Sequence, residues 1–500
     1  MTIKDIFAEG ISKGWKVYSG AKLENDTTFE ADVAIIGTGA GGGTSAEILA
    51  KRGLKVLLIE EGTLRTSNDF NMDEKTAYSE MYQEGATRAT KDKAISILQG
   101  RAVGGTTVVN WTSSFRTPEA TLNHWAEHYK VAGSSAENMA PWFDLMENRL
   151  GVEKWQVPPN ANNTGIKNGC QVLGYHWDVI PRNVKGCWNL GYCGLGCPTN
   201  AKQSMLVTTI PGALKKNAEL LYLARAQRFH MKGDKVVELE CVALDNDLIT
   251  SRPIKIRVKA KHFVLSGGSI NSPALLMRSE APDPFELVGK RTFLHPSVIT
   301  MGRMKEKVDG FYGAPQSIYS DEFQWKEADK MMGFKLETMP LQPMLASTNF
   351  RQMGNALNNS MSQLAFCQAQ LAMMRDGFSA QSQGGEVQLR SDGSPVLDYS
   401  ITDYMWGGIK RAYLAMAEIH FASGAQSIYF SHSDSEWVNS LQQAKQAVER
   451  LSLKKYRTGI GSAHVMGGCL MGEEPTNSVV NSVGEHHHLE NLSVIDGSVF

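Results

Sequence analysis

A glycine-rich turn followed by a carboxylate suggests a nucleotide-binding site near the N-terminus. The turn runs Gly37-Thr38-Gly39-Ala40-Gly41-Gly42, and Glu60 ends the next apolar stretch. Glycine here permits a tight turn, close approach of the backbone to a pyrophosphate, and close packing of a helix on a strand. A carboxylate in the position of Glu60 can accept hydrogen bonds from ribose hydroxyls. The pattern predicts a dinucleotide site without choosing between FAD and NAD(P).

Three predicted elements position this turn. Residues 31–36 are expected to form a buried strand, 43–52 a helix and 55–60 a second buried strand. Gly53 suits the end of the helix. Together they predict a β-α-β unit of about 30 residues, the context that the glycine pattern requires.

Other segments are predicted from local patterns. Residues 63–98 are polar without a clear period and suggest a lid or covering loop. The remaining predictions are a hairpin of 219–230 with 235–243, a buried strand at 262–266, two strands within 386–401 joined at Asp392-Gly393, and helices at 405–422 and 434–451.

Three later segments are also rich in glycine or carry a histidine. They are GRAVGGTTVVN at 100–110 with FRTP at 115–118, SGGSINSPALL at 266–276 with LHP at 294–296, and HVMGGCLMG at 464–472 leading to Asp496-Gly497. In this order, and over about residues 30–500, the chain resembles the glucose-methanol-choline (GMC) oxidoreductases. The branch it resembles includes cholesterol oxidase-like and long-chain alcohol oxidase-like members.

The resemblance implies an α/β fold with two domains. A Rossmann-like FAD-binding domain is expected from 31–118, 205–300 and 455–500, after an N-terminal extension at 1–30. A substrate or cap domain built on an antiparallel sheet is expected from 119–204 and 301–454.

The resemblance also selects FAD as the cofactor, with adenosine toward Glu60 and the flavin toward His464. The residues implied to contact FAD are Gly37, Gly39, Ala40, Gly41, Gly42, Glu60, Arg101, Gly104, Gly105, Thr106, Asn110, Ala226, Gly267, Asp496 and Gly497.

His464 matches the catalytic base of the family. A neutral imidazole would remove the hydroxyl proton of a primary or secondary alcohol while hydride leaves for flavin N5. His295 is interpreted as a structural residue near the flavin, and His486, His487 and His488 as part of a solvated loop. The family's second histidine or asparagine follows the Asp-Gly-Ser turn, and no residue before Phe500 matches it.

Three cysteines, Cys187, Cys193 and Cys197, leave several interpretations open. They could ligate an iron–sulfur cluster, bind zinc with a fourth ligand, or pack as free thiols in a glycine-rich loop. The last interpretation is favoured, so no metal is assigned. An electron-relay flavoprotein with a cluster at these cysteines is one alternative function. A nicotinamide-dependent dehydrogenase is another.

The substrate is expected to be bulky or apolar because methionines concentrate in the predicted substrate domain. They are Met331, Met332, Met339, Met344, Met353 and Met361, accompanied by Phe334, Leu336, Leu341, Leu345 and Phe350. The alcohol itself, and whether oxygen, a quinone or a cytochrome accepts the electrons, cannot be predicted.

Composition excludes some partners. With 51 basic and 52 acidic residues, the net charge of -1 gives no reason to expect nucleic-acid binding. The first 20 residues lack the features of an export signal, so a cytoplasmic location is expected. Ile3, Ile6, Phe7, Ile11 and Trp15 form a weak apolar face. Packing on the protein body is favoured for it over peripheral membrane association.

Overall fold

The computed structural model describes residues 3–326 and 330–500. The helices of this part of the chain are α1 (Ile6–Ser12), α2 (Ala40–Lys51), α3 (Glu74–Met81), α4 (Glu119–Tyr129), α5 (Ala136–Leu150), α6 (Ala161–Leu173), α7 (Thr209–Leu214), α8 (Gly268–Arg278), α9 (Pro343–Asn349), α10 (Gly354–Ser362), α11 (Asp403–Ala422) and α12 (Leu441–Arg450). The strands are β1 (Lys16–Ser19), β2 (Thr27–Ile36), β3 (Val56–Ile59), β4 (Ser96–Ile97), β5 (Val152–Lys154), β6 (Asp178–Val179), β7 (Pro181–Asn183), β8 (Glu219–Tyr222), β9 (Ala224–Lys232), β10 (Lys235–Leu244), β11 (Ser251–Leu265), β12 (Phe293–Leu294), β13 (Ser297–Arg303), β14 (Ile318–Tyr319), β15 (Phe334–Glu337), β16 (Cys367–Met374), β17 (Gly385–Leu389), β18 (Pro395–Tyr399), β19 (Ser427–Phe430), β20 (Gly461–Ser462), β21 (Val465–Met466) and β22 (Leu492–Val494).

The larger sheet has eight strands in the order β1-β8-β3-β2-β11-β10-β9, with β22 also paired to β11. Strands β2 and β3 run parallel with α2 between them, as the β-α-β pattern predicts. The strands β3, β2 and β11 carry continuous apolar runs because the sheet is covered on both faces. The loops that leave the carboxyl ends of these strands form the nucleotide side of the site.

The second sheet has six strands in the order β15-β16-β13-β20-β4, with β19 also paired to β13. Its pairs β13 with β16 and β15 with β16 are antiparallel. One face packs against α11, and the buried apolar residues between them form a separate core. The α/β fold with an antiparallel second sheet is the predicted one. The domain boundaries remain a prediction, and β1, inside the predicted N-terminal extension, joins the larger sheet.

Several predicted elements differ from those observed. The strand predicted at 219–230 breaks at Leu223, whose φ of 54° turns the chain. Strand β8 therefore pairs parallel with β3, and only β9 forms the hairpin with β10. The helix predicted at 434–451 is shorter, since Val438 forms a bridge with Ile428 before α12 begins. The strands and turn predicted within 386–401 are present as β17 and β18.

The polar segment 63–98 is also more ordered than its sequence suggests. It contains α3 and β4, and Tyr78, Met81 and Tyr82 pack into the core beside α2. Their spacing of three or four positions is difficult to recognise in the sequence, because the surrounding segment is mostly polar.

The N-terminal segment packs on the protein body. Phe7 of α1 is 2% exposed and meets the Trp15 ring edge-to-face at 5.8 Å between centroids. The apolar face of the N-terminal segment, on which the hypothesis of membrane association depends, is therefore partly buried within the protein. Within the described ranges, no helix is both long and apolar enough to cross a membrane.

Candidate active site

The first glycine turn is shaped by close backbone contacts. Gly37 has a φ of +101°, and a Cβ there would lie 2.1 Å from the carbonyl oxygen of Ser266. A Cβ on Gly41 would lie 1.8 Å from the Ile495 carbonyl oxygen. Helix α2 begins directly after Gly39, and no side chain described caps its free N–H groups. The turn thus leaves a helix N-terminus open to an anion such as pyrophosphate.

Glu60 lies buried beside this turn. Its carboxylate accepts hydrogen bonds from the N–H and hydroxyl of Thr38, at 3.1 and 2.5 Å, and from the N–H of Gly62 at 2.8 Å. Burial raises the pKa of Glu60 against the opposing effect of these donors. The same Thr38 hydroxyl accepts the N–H of Gly104 at 2.9 Å, which ties the second glycine segment to the first.

The second glycine segment runs alongside the turn. Gly104 and Gly105 adopt φ values of +101° and +56°. The Arg101 guanidinium pairs with Glu61 at 2.6 Å. The Asn110 side-chain oxygen is buried and has no hydrogen-bond partner among the described residues. Such an acceptor is expected to meet a donor from a bound molecule or water.

Asp496 joins the third motif to the C-terminal block. Its Oδ2 accepts the Gly268 N–H at 2.8 Å and the Ser272 hydroxyl at 2.6 Å, and its Oδ1 accepts the Ser498 N–H at 2.8 Å. Because Ile495 also lies against Gly41, this contact brings the C-terminal block to the first turn.

These motifs surround one cavity of about 1270 Å³. Of the residues predicted to contact the cofactor, those on its wall are Gly37, Gly39, Ala40, Gly41, Glu60, Arg101, Gly105, Thr106, Ala226, Gly267, Asp496 and Gly497. Gly42, Gly104, Asn110 and His464 are not on that wall. Gly42 supports the turn from behind, since its Cβ would lie 2.0 Å from the Gly37 carbonyl oxygen.

Two histidines meet at the other end of the site. Strands β12 and β21 are antiparallel, with Leu294 opposite Val465. The next pair in that register is His295 and His464, whose Nδ1 atoms lie 3.0 Å apart. From the sequence, His464 was predicted to be functional and His295 to be structural. The contact between the two histidines was not predicted.

Both rings favour the uncharged form. His464 is exposed at the surface of the protein. Desolvation by the surrounding protein lowers the pKa of its ring, and the charge of Lys335 lowers it further. Desolvation, then His464 and Lys335, lower the pKa of His295 to about 3. Two neutral imidazoles can share one Nδ1–H···Nδ1 hydrogen bond, whereas two imidazolium ions cannot.

The cysteine segment is held by hydrogen bonds to Arg182 and Lys202. Lys202, fully buried just after it, donates to the carbonyl oxygens of Val108, Asn110 and Cys193 at 2.6–2.7 Å. The Cys193 sulfur accepts a hydrogen bond from the Arg182 guanidinium, and the Cys197 sulfur accepts one from the backbone N–H of Lys202. In the described part of the chain, no three histidine, cysteine or acidic side chains are placed to hold a metal ion. The electron-relay alternative therefore gains no support from this segment.

The sequence matches two regions of one family, described as GMC oxidoreductase. The N-terminal region matches residues 78–297 and the C-terminal region residues 380–500, which together exceed half of the chain. The chain belongs to the GMC oxidoreductase family. FAD is its cofactor. The residues fit that cofactor, because the open α2 N-terminus and the close glycine contacts suit an extended dinucleotide.

Among its relatives is a long-chain-alcohol oxidase of Arabidopsis thaliana, 27% identical over 499 residues, covering 95% of this chain and 65% of the relative. Paromamine 6'-oxidase of Streptomyces fradiae is 27% identical over 514 residues, covering 93% and 86%. The chain spans about two thirds of the length of the plant relative.

Solved structures share this GMC fold. Pyridoxine 4-oxidase from Mesorbium loti superposes with a TM-score of 0.67 at 18% identity, covering 94% of both chains. A formate oxidase of Aspergillus oryzae has a TM-score of 0.67 at 14% identity, covering 96% of this chain and 95% of its own.

Proposed function

We propose that this GMC oxidoreductase oxidises a bulky or apolar primary or secondary alcohol to an aldehyde or ketone, with His464 as the base. The observation that carries this proposal is the contact of 3.0 Å between the Nδ1 atoms of His295 and His464. The plant relatives named long-chain-alcohol oxidases support an alcohol as the substrate.

The hydrogen bond between the rings determines which nitrogen is basic. When His464 donates its Nδ1–H to His295, its Nε2 carries no proton and can accept the alcohol proton. His295 then carries its proton on Nε2. The backbone N–H of His295, which donates to the Ser462 hydroxyl at 3.2 Å and to the His464 carbonyl oxygen at 3.2 Å, keeps the two segments in register.

FAD, when bound, supplies the acceptor for the hydride that leaves the carbinol carbon. The glycine turn, Glu60 and Arg101 would hold its adenosine diphosphate half. Asn110, Asp496 and Gly497 would lie toward its other half. The chain's part in the reaction is to bind both molecules, orient the alcohol and take its proton on His464.

An apolar substrate is favoured by one face of the second sheet. Cross-strand pairing places Ser297 opposite Met373, and Ile299 opposite Leu371, directly after His295 along the chain. Cross-strand partners share a face. This face, rather than the whole methionine-rich segment, is the proposed substrate wall. Met332, Phe334 and Leu336 pack in the core with α11, and Met353 is 88% exposed.

The electron acceptor is proposed to be oxygen, because the relatives are named as oxidases. The second and third motifs line the same cavity as the first turn. A nicotinamide-dependent enzyme is disfavoured, because these two motifs would have no function in such an enzyme. Oxygen uptake with alcohol, compared with reduction of a quinone analogue, separates the acceptors.

The test is anaerobic bleaching of the bound flavin by a series of primary alcohols of increasing chain length. We expect bleaching that quickens with chain length, and a loss of about 10²–10⁴ in rate for His464→Ala. The His464→Ala variant should keep its flavin, which the absorption spectrum checks. Bleaching by His464→Ala at the full rate would refute the assigned base. Flavin that no alcohol reduces would refute the substrate class.

A further inference from the structure

Two buried cations lie beside the cysteine segment without a carboxylate partner. Arg182 is 1% exposed and Lys202 is 2% exposed. Within residues 3–326 and 330–500, neither side chain forms an ion pair with an aspartate or a glutamate. A buried charge costs free energy unless an opposite charge lies close to it. These two charges therefore favour an anion that is not a carboxylate.

The Arg182 guanidinium is enclosed by the protein. Its Nε donates to the Thr112 hydroxyl at 2.8 Å, and its Cζ lies 4.5 Å from the centroid of the Trp155 ring. Its Nη2 lies 3.6 Å from the Cys193 sulfur. Its Nη1 is buried and has no hydrogen-bond partner in the described part of the chain. The ionisable group in contact with this guanidinium is therefore the Cys193 thiol.

The contacts of Lys202 fit the charged form of its side chain. Its Nζ donates to the carbonyl oxygens of Val108, Asn110 and Cys193 at 2.6–2.7 Å. An ammonium has three N–H donors for these three acceptors, whereas a neutral amine has two. Burial lowers the pKa of Lys202 to about 8, and the charges of Cys193 and Cys197 oppose this lowering. The two cysteines are thus the groups that can balance the ammonium.

Cys197 has the contacts of an activated thiol. Its sulfur accepts a hydrogen bond from the Lys202 N–H at 3.4 Å and lies 3.4 Å from the Thr199 hydroxyl. Burial by itself would raise the pKa of Cys197, but the hydrogen bonds of Thr199 and Lys202, together with the Lys202 charge, lower it below its ordinary value. The residue is half-buried, so a small reagent can reach it. Reactive cysteines in proteins occupy positively charged, partly exposed surroundings of this kind.

The cysteines outside this pair provide a contrast. Cys187 is half-buried like Cys197, and its sulfur accepts one hydrogen bond, from the Asn189 N–H at 3.4 Å. Burial raises the pKa of Cys187. Burial also raises the pKa of the four buried free thiols, which are Cys170, Cys241, Cys367 and Cys469. Exposure therefore does not distinguish Cys197 from Cys187, whereas the donors around the two sulfurs do.

We propose that Cys193 and Cys197 form a modification site in which a thiolate, balanced by Arg182 and Lys202, reacts with hydroperoxides. Cys197 is the attacking sulfur, because two donors contact it. With hydrogen peroxide, the thiolate attacks one oxygen, so that an S–O bond forms and the O–O bond breaks. The sulfur loses two electrons and becomes a sulfenic acid, and the other oxygen leaves as hydroxide. The proposal does not depend on alcohol oxidation, because the peroxide is an added reagent.

The test treats the oxidised holoenzyme with two reagents and measures every cysteine by peptide mass spectrometry. With limiting iodoacetamide at pH 7, we expect Cys197 to be alkylated about 10-fold faster than Cys187, because more of it is thiolate. With hydrogen peroxide and dimedone, which traps a sulfenic acid, we expect the adduct on Cys197. The four buried cysteines should stay unlabelled, which checks that the protein remains folded.

The outcomes that would contradict the proposal are also defined by these rates. Alkylation of Cys193 and Cys197 no faster than that of Cys187 would overturn the site. So would the absence of a dimedone adduct on both of its sulfurs. An adduct on Cys193 in place of Cys197 would overturn the choice of the attacking sulfur.

Variants of Thr199 separate activation of Cys197 from its exposure. Thr199→Val removes the hydroxyl at similar volume and should slow alkylation of Cys197 by about 2–10-fold, the effect of one hydrogen bond. Thr199→Ser keeps the hydroxyl and should restore the rate, and the rate at Cys187 should not change in either variant. In the wild type, alkylation of Cys197 should reach half its plateau at a lower pH than that of Cys187. An unchanged rate in Thr199→Val, or coincident pH profiles, would overturn the assigned activation.

Discussion

The two ends of the site are constructed in different ways. At the nucleotide end, the turn, α2 and Glu60 come from one short stretch of chain, and the contacts are mostly with backbone atoms. At the histidine end, the two histidines of the proposed site come from segments that are distant in sequence and meet where β12 pairs with β21.

Because of this difference, we expect the nucleotide end to determine FAD binding and the histidine end to determine the rate of the reaction. The nucleotide end depends on the absence of side chains, because a Cβ at Gly37 or Gly41 would overlap a neighbouring carbonyl oxygen. The histidine end depends on the presence of particular side chains in one hydrogen bond. Substitutions at the first end should release FAD, and those at the second should slow the reaction while FAD stays bound.

Apart from the loss expected for His464→Ala, the largest effect is expected for Gly41→Ala. The new Cβ would lie 1.8 Å from the Ile495 carbonyl oxygen, so α2 or the C-terminal block must shift. Such overpacking costs about 1–3 kcal/mol or more, which corresponds to up to about 100-fold in FAD affinity. The ratio of flavin to protein after purification measures it. Gly407→Ala is the control, since this exposed helical glycine has open space around it. Full flavin content in Gly41→Ala would contradict the account of the turn.

A smaller effect is expected for His295→Leu. It removes the partner that holds the Nδ1 proton of His464, and the loss of such a hydrogen-bonding partner typically costs about 10–100-fold. Stopped-flow flavin reduction measures the rate, and the visible spectrum confirms that FAD is retained. A wild-type rate would show that the histidine pair has no part in the reaction. Loss of FAD instead would remove the proposed distinction between the two ends.

The smallest effect on the reaction is expected for Thr38→Val, which should act on stability instead. The hydroxyl of Thr38 serves both Glu60 and the Gly104 N–H, so its removal leaves buried polar groups unpaired. The free energy of unfolding should fall by about 1–3 kcal/mol, measured by urea denaturation. Thr38→Ser keeps the hydroxyl and should recover most of the loss. Equal losses for both variants would show that the hydrogen bonds of the hydroxyl contribute no more than the packing of the Thr38 methyl group.

The nucleotide end was predictable because its pattern is local. The strand, turn, helix and second strand were expected close to their observed bounds, although α2 begins at Ala40 rather than at residue 43. The hydrophobic period and the glycines are sufficient there, since each contact forms within a short stretch. The segment 63–98 was harder, because Tyr78 and Met81 are separated by the polar residues Ser79 and Glu80 within a stretch that is polar overall.

The contacts of His295 and Lys335 were not predictable. His295 was interpreted as structural, because nothing near it in the chain shows that it faces His464. Lys335 lies in an apolar stretch that suggested only a substrate pocket. Its burial, its contacts with the Phe115 and Tyr319 rings, and its place in one row with Met373 and Ser297 across the sheet depend on the pairing of three strands.

The amino-acid order alone was enough to predict a dinucleotide turn, the resemblance to the GMC family and a base at His464. The tertiary structure decided which residue lies opposite His464. The physical reason is the range of the interactions. Backbone turns and hydrophobic periods are set by neighbours along the chain, whereas a hydrogen bond between two rings and the contacts of the Lys335 ammonium depend on distances that only the packed sheets establish.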